Sequence, residues 1–159
     1  MATPARLAAV RRMLAAVGDR VAPIGPLLAR FTVGIVFAGT GWDKLHNLDG
    51  ITAFFTKLGI PWPHFNAVLV STTELVGGSL LVAGLLARLA CVPLAIVMIV
   101  AIATAKWEDV ESLHDLLNFK ETVYLAIFIW IGVAGPGRFA LDHLLGRALA
   151  KRLDDPPPA

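Results

Sequence analysis

The chain has 159 residues, of which 57% are hydrophobic and 16% charged, and its mean hydropathy is +0.71. Soluble domains typically contain about 45–50% apolar and about 25% charged residues. A chain this short and this apolar has too little polar surface to cover itself in water, which excludes an ordinary soluble domain. The composition indicates an integral membrane protein. Its expected partner is the lipid bilayer, and we expect no binding to nucleic acid.

The N-terminal segment, residues 1–25, is predicted to form a short basic amphipathic helix on the cytoplasmic surface of the membrane. Its arginines interrupt the continuous apolar core that a signal peptide needs. A helix with one apolar and one basic face lies in the plane of the membrane interface. The apolar residues that recur at helical spacing are Leu7, Val10, Leu14, Val17 and Val21.

Residues 26–145 are predicted to form a four-helix transmembrane bundle, an all-α fold. A helix needs about 20 apolar residues to cross roughly 30 Å of hydrocarbon. Strands of a membrane barrel would alternate apolar and polar residues, and these segments do not. The four predicted spans are Pro26–Leu45, Phe65–Leu86, Leu89–Ala105 and Leu117–Ala134, of which the last two are short.

The distribution of Lys and Arg predicts how the bundle is oriented. Four spans place both termini on one side, and that side carries ten of the 14 Lys and Arg residues. The positive-inside rule therefore places both termini in the cytoplasm. The loops 45–64 and 106–118 then face outward. Residues 146–159 are predicted to be a cytoplasmic tail whose end, DDPPPA, is too short and proline-rich to fold.

Glu74 is the most informative single residue, because it places a carboxyl group well inside the second apolar segment. A charged side chain at mid-span costs about 2.5–3.5 kcal/mol, so it should face the bundle interior and find a partner. Lys44 and Lys106 are the expected partners. Two interpretations stay open: a carboxyl group that handles protons or binds a ligand, and a structural ion pair that joins two helices.

The predicted topology brings further polar and aromatic residues toward Glu74 in the outer half of the bundle. Asp43 and Lys44 are adjacent, so on a helix they point about 100° apart and must find different partners. Trp42 is interpreted first as an anchor at the membrane interface. The candidate binding set is Trp42, Asp43, Lys44, Glu74, Lys106, Glu121 and Tyr124.

Small residues in the first two spans predict close helix packing. Gly34, Ala38 and Gly41 fall on one face of the first helix, and Gly77 and Gly78 lie one turn from Glu74. Such residues let two backbones approach closely, on which packing in lipid depends.

The sequence lacks the usual motifs of a self-sufficient enzyme. Cys91 is the sole cysteine, so there is no dithiol pair. His46, His64 and His114 do not have the spacing of a metal motif, and none lies at mid-span, where a haem would need its axial ligands. No nucleophile–base pair is recognisable. We expect no catalytic residue, no metal and no intrinsic cofactor.

Four pieces of the sequence together resemble the DoxX family of small bacterial membrane proteins. They are RFTVGIVFAGTGWDKL, FFTKLGIPWP, STTELVGGSLLVAGLLARLA and GPGRFALD, which span about Arg30 to Asp142. The resemblance implies four transmembrane helices in a bacterial inner membrane. It also implies a link to redox systems, because the family takes its name from subunits associated with thiosulfate:quinone oxidoreduction.

Two functions follow as hypotheses. The first is an accessory membrane subunit of a redox system that binds a quinone-like molecule near Glu74, with the redox cofactor supplied by an oxidoreductase partner. The alternative is a non-enzymatic scaffold, or a carrier for a small apolar or lipid solute, for which a homo-oligomer is expected.

Overall fold

A computed structural model describes residues 4–143 and 145–146 of the chain. All assigned elements in this part are helical, which confirms the all-α fold. A π-helix, Ile102–Lys106, continues the fifth α-helix, and a 3-10 turn, Trp107–Asp109, follows it. The α-helices are α1 (Pro4–Val21), α2 (Ile24–His46), α3 (Leu48–Lys57), α4 (Pro63–Ala83), α5 (Ala87–Ala101), α6 (Leu113–Asn118) and α7 (Lys120–Ala134).

The four longest helices after α1 pack into a bundle. α2 lies against α4, α4 against α5, and α5 against α7. Their inner faces form one apolar core, whereas many large apolar side chains on the outer faces remain exposed, as expected of a surface that meets lipid. The core residues are Val33, Phe37, Leu81, Ala87, Cys91, Leu94, Met98, Phe128 and Ile131.

Within the residues that the structure describes, three helical segments, not four, are long and apolar enough to cross a membrane. They are Val10–His46, Pro63–Ala83 and Ala87–Asp109. The predicted fourth span was to begin at Leu117, but the backbone at Phe119 is extended (φ −69°, ψ 133°), so α7 starts only at Lys120. With 15 residues, α7 is shorter than the roughly 20 that a span needs.

The loops contain structure that the sequence analysis missed. The loop after α2 holds α3, which packs on α4, and the loop after the 3-10 turn holds α6. Ser112 and Asp115 cap the start of α6 with a reciprocal pair of side-chain hydrogen bonds. At the N-terminus, α1 is helical as predicted, and its described side chains are exposed. The predicted tail, beyond residue 146, lies outside the described residues.

α2 and α4 approach closely because glycines line their contact. A Cβ added to Gly41 would overlap the backbone of Ser71 and Leu75, and one added to Gly78 would overlap the backbone of Gly34 and its neighbours on α2. The predicted small-residue face is therefore confirmed. Gly77 belongs to a different contact, because a Cβ added there would lie 3.0 Å from the side chain of Leu94 on α5.

The bundle has two ends, named here by one basic residue each. Lys44, near the last turn of α2, marks the Lys44 end. Arg88, in the first turn of α5, marks the Arg88 end, where Gly84 (φ 69°) terminates α4 and lets the chain turn directly into α5. The start of α2, including Arg30, also lies at the Arg88 end, because the Arg30 guanidinium lies against Gly84.

Candidate functional site

Glu74 forms an ion pair with Lys44 at the contact between α2 and α4. The Nζ atom of Lys44 lies 2.6 Å from Oε1 and 2.7 Å from Oε2 of Glu74, so the ammonium donates to both carboxylate oxygens. Glu74 is 2% exposed. Its position, eleven residues after the start of α4, places it about 16 Å along the helix. The carboxyl group thus faces the bundle interior and has a cationic partner there, as the sequence predicts.

Thr40 is the third member of this polar cluster, and the sequence analysis missed it. Its hydroxyl lies 3.2 Å from Oε2 of Glu74 and also 3.2 Å from the carbonyl oxygen of Phe37, so it can donate to either. The signal that could have found it is spacing: Thr40 and Lys44 are four residues apart and share one face of α2.

The cluster is closed on one side and open on the other. Ser71, one turn before Glu74, is buried, and its hydroxyl donates to the carbonyl oxygen of Ala67 at 2.6 Å. In contrast, Thr40 is exposed, and the Lys44 side chain is 31% exposed. Thr40 and Lys44 therefore connect the cluster to the surface of the bundle, while the Glu74 carboxylate behind them stays buried.

Asp43 and Trp42 do not join the cluster, because within the described residues neither side chain has a hydrogen bond to Glu74. Both side chains are exposed. The Trp42 ring packs against the His46 ring with centroids 4.4 Å apart, and His46 Nδ1 lies 2.8 Å from the carbonyl oxygen of Trp42. This placement suits the interfacial anchor predicted for Trp42, and it leaves Lys44 as the member of the Asp43–Lys44 pair that turns inward.

Lys106, the second expected partner of Glu74, is engaged elsewhere. Its Nζ lies 5.8 Å from the centroid of the Phe119 ring, a cation–π distance. Glu121 is half-buried in the first turn of α7, where the helix dipole favours a negative charge. In the described part of the chain, neither residue has a recorded hydrogen bond to Glu74.

Tyr124 is linked to the cluster through Phe37. The two rings meet edge to face with centroids 5.2 Å apart, and the Phe37 carbonyl is the one within reach of Thr40. Of the predicted binding set, the structure therefore joins Lys44 and Glu74 directly and Tyr124 indirectly. Within residues 4–143 and 145–146, no three His, Cys, Asp or Glu side chains are grouped as metal ligands.

A second polar network, at the Arg88 end, was also missed. The sequence analysis treated Arg30 only as one of the ten positive charges on the side of the termini. In the structure it is 1% exposed and donates to the carbonyl oxygens of Pro136 and Phe139. Asp142 accepts hydrogen bonds from the backbone N–H groups of Leu86 and Ala87. These contacts join residues more than 50 positions apart, which no local spacing in the sequence reveals.

Comparison with known proteins places the chain in a family. The family model DoxX matches residues 25–107, more than half of the chain. The chain belongs to the DoxX family. The match covers α2 to the end of the π-helix and so includes the Lys44–Glu74 pair, whereas the GPGRFALD segment lies outside the matched range.

Relatives in several bacteria support this assignment. The chain is 33% identical over 139 residues to "Uncharacterized membrane protein Rv3486" of Mycobacterium tuberculosis, covering 79% of this chain and 83% of the relative. It is 39% identical over 107 residues to "Putative oxidoreductase CatD" of Bacillus subtilis, covering 65% and 78%. It is 28% identical over 130 residues to "Inner membrane protein YphA" of Escherichia coli, covering 76% and 90%. No solved structure matches this chain.

This DoxX family protein is accordingly a membrane protein with apolar helices. Its relatives are named as membrane or inner membrane proteins, and one carries an oxidoreductase name. These names agree with the membrane character that the composition indicates.

Proposed function

We propose that this DoxX family protein is an accessory membrane subunit of a redox system and binds a quinone-like molecule beside the Lys44–Glu74 pair. The observation that carries the proposal is a buried carboxylate, paired through both oxygens with Lys44, whose neighbours Lys44 and Thr40 reach the surface of the bundle. Ionisable residues within membrane segments commonly mark substrate or proton pathways. The oxidoreductase name of the relative CatD gives separate support.

The cluster offers the hydrogen-bond donors that a quinone carbonyl needs. The Lys44 ammonium has three N–H donors, of which two are directed at Glu74. The third N–H and the Thr40 hydroxyl can donate together to a carbonyl oxygen that approaches from the exposed side, one to each of its two lone pairs, and we propose that binding needs both donors. An apolar ring carrying a carbonyl group suits this position, because the ring can remain among apolar side chains while its oxygen meets the cluster.

Proton exchange is the second property that the pair supplies. Full reduction of a quinone to a hydroquinone takes up two electrons and two protons. Lys44 can deliver one proton to a carbonyl oxygen, with Glu74 holding its ammonium in place, and the second proton must come from water on the exposed side after Lys44 is reprotonated. The electrons must come from an oxidoreductase partner, since the chain has no redox motif of its own. We therefore assign binding and proton handling, but no electron transfer, to this chain.

We also propose that α7 crosses the membrane together with its polar flanks, completing four spans with both termini in the cytoplasm. α7 packs along α5 and contributes Phe128 and Ile131 to the bundle core. Its 15 residues cover only about 22 Å, so the remaining depth would be taken by residues 117–119 and by the chain after Ala134. The excess of Lys and Arg on the side of the termini supports this orientation.

The experiment is native mass spectrometry with lipid extraction on the full chain after mild purification. The variants are Glu74→Gln, which removes the buried charge, and Asp43→Asn, a matched control on an exposed acid beside Lys44. Thr40→Val, which leaves the ion pair intact, is a third variant. We expect a quinone in the wild type and in Asp43→Asn, and its loss in Glu74→Gln and in Thr40→Val.

Thermal unfolding of each variant shows whether a lost ligand reflects a lost fold. If Glu74→Gln unfolds, Thr40→Val decides the outcome. Empty bundles in all four proteins would reject ligand binding here. The Lys44–Glu74 pair would then be a structural link between α2 and α4, and the scaffold or carrier function would take precedence.

A further inference from the structure

A groove at the Arg88 end of the bundle carries basic side chains that the proposed redox function does not use. Its volume is about 460 Å³, and its lining includes Arg88, Arg138 and His143. We propose that this groove binds the headgroup of an anionic phospholipid. It lies at the opposite end of α2 from Lys44, so the proposal is independent of the Lys44–Glu74 site.

The wall of the groove is a loop that a buried side chain holds in place. Gly135 and Gly137 both have positive φ angles, of 89° and 83°, and form the turn that follows α7. From behind, Arg30 donates through Nη1 to Pro136 at 3.2 Å and through Nη2 to Phe139 at 3.3 Å. The groove is therefore a fixed part of the fold, because its loop is hydrogen-bonded to a core residue.

The positive charges of the groove are available to a ligand. Asp142 also lines it, but Oδ1 accepts from the backbone N–H of Leu86 at 2.8 Å and Oδ2 from that of Ala87 at 3.1 Å. Arg88 and Arg138 are exposed. Among the described residues, neither arginine forms an ion pair, so the groove keeps two guanidinium charges against the single carboxylate charge of Asp142.

Arginine side chains at this position suit a phosphate group. A guanidinium binds phosphate oxygens through two parallel N–H donors, and the His143 ring adds a further donor at the same groove. Gly135 leaves space for this arrangement, because a Cβ there would lie 3.0 Å from Nη2 of Arg88. The Arg88 guanidinium can thus lie flat against the loop.

The apolar surroundings favour a lipid over a soluble anion. Leu89, Val133 and Phe139 are each adjacent in sequence to a groove residue, and they are 66%, 78% and 61% exposed. In a membrane these side chains face acyl chains. A phospholipid can therefore place its phosphate against the arginines and its chains on this apolar surface. Basic pockets at the ends of membrane helices bind anionic headgroups in this way.

The test is a lipid titration of the full chain in mild detergent, followed by native mass spectrometry. The lipids are phosphatidylglycerol, which is anionic, and phosphatidylcholine with identical acyl chains, which is neutral overall. The groove variants are Arg138→Gln alone and Arg88→Gln with Arg138→Gln. The matched control is Arg11→Gln with Arg12→Gln, which removes two exposed arginines from α1, outside the groove.

We expect the wild type and the α1 control to prefer phosphatidylglycerol. The preference should fall about fivefold for Arg138→Gln and about 25-fold for the double groove variant, at about fivefold per charge removed. Arg138 is an exposed loop residue, so its single variant should fold even if the double variant does not.

Two results would overturn the proposal. The first is an equal loss of preference in the α1 control, or no loss in the groove variants, either of which would indicate general surface charge. The second is thermal stabilisation of the lipid-depleted wild type by inorganic phosphate to the same extent as by phosphatidylglycerol. That result would make the groove a site for a soluble anion.

Discussion

The Lys44–Glu74 ion pair lies one helical turn from a close contact between the α2 and α4 backbones. Lys44 Nζ contacts both carboxylate oxygens, at 2.6 and 2.7 Å. Three residues earlier on the same helix, Gly41 lies directly against the backbone of Ser71 and Leu75. The close packing brings α4 within reach of Lys44, because residues three apart share a helix face.

Removing the cation alone should destabilise the protein more than removing both partners. In Lys44→Met, the buried Glu74 carboxylate loses its partner, which typically costs 3–5 kcal/mol for a fully buried pair. Because the Lys44 side chain is 31% exposed, we expect about 2 kcal/mol, or roughly 4–8 °C in the unfolding midpoint in detergent.

The double variant Lys44→Met, Glu74→Gln is the control for this prediction. It leaves no unpaired charge in the bundle, so we expect it to recover most of the midpoint lost in Lys44→Met. If both proteins unfolded at the same temperature, the loss would come from the lost packing of the Lys44 side chain, not from the unpaired charge of Glu74.

Filling the helix contact at Gly41 should be more harmful than filling a neighbouring glycine. The Cβ in Gly41→Ala overlaps backbone atoms of α4, which cannot rotate away as a side chain can. We expect a loss near the upper end of the usual range for overpacking, about 3 kcal/mol.

Gly39→Ala is the matched control, because a Cβ at Gly39 meets nothing within 4 Å. Alanine is favoured over glycine in a helix by about 1 kcal/mol, so this variant should be neutral or slightly stabilising. Equal midpoints for the two variants in the same detergent would refute the close approach at Gly41.

Spacing along single helices was enough to predict part of the candidate site. Glu74 interrupts an apolar segment, and the cost of an unpaired charge in lipid is large enough to require an interior position and a partner. The close helix packing at Gly41 and Gly78 was likewise predicted from small residues at helical intervals. These features depend on one helix at a time, or on two helices that are adjacent in the chain.

Features that depend on distant parts of the chain could not be predicted in this way. The sequence predicted both Lys44 and Lys106 as partners of Glu74. The rotation of each helix about its axis, which the sequence does not give, directs Lys44 to Glu74 and Lys106 to the Phe119 ring. The length of the fourth span was overestimated for a local reason. Phe119 and Lys120 are both compatible with a continuing helix, and the extended backbone at Phe119 is not visible from composition.

Asp142 should be more important for stability than an exposed aspartate on α1. It caps the start of α5 by accepting from the N–H groups of Leu86 and Ala87, and its own N–H donates to the carbonyl oxygen of Gly84 at 3.0 Å. Asp142→Ala removes the side-chain part of this cap, which should cost about 1–2 kcal/mol.

Hydrogen exchange gives a local measurement of the same prediction. The amides of Leu86 and Ala87 should exchange faster in Asp142→Ala, whereas Asp19→Ala, on an exposed residue of α1, should leave their exchange unchanged. Unchanged protection of both amides in Asp142→Ala would show that the start of α5 does not depend on this carboxylate.

Leu86 allows the strain of the turn between α4 and α5 to be measured. It adopts a left-handed backbone conformation, with φ 48° and ψ 32°, which costs an L-residue roughly 1–2 kcal/mol. Its side chain is exposed, so truncation removes little packing. Glycine relieves this strain, but its greater loss of backbone entropy on folding costs about 0.5–1 kcal/mol. Leu86→Gly should therefore raise the unfolding midpoint slightly or leave it unchanged.

Leu86→Val should instead lower the midpoint, because a β-branched side chain is especially unfavourable at positive φ. The backbone N–H of residue 86 can still donate to Asp142 in both variants, so the two proteins differ mainly in backbone preference. We expect them to differ by about 1–2 kcal/mol, the size of the left-handed penalty. If glycine and valine lowered the midpoint equally, the leucine side chain itself would be the stabilising element, and its contacts with lipid or detergent would have to explain why this residue occupies the turn.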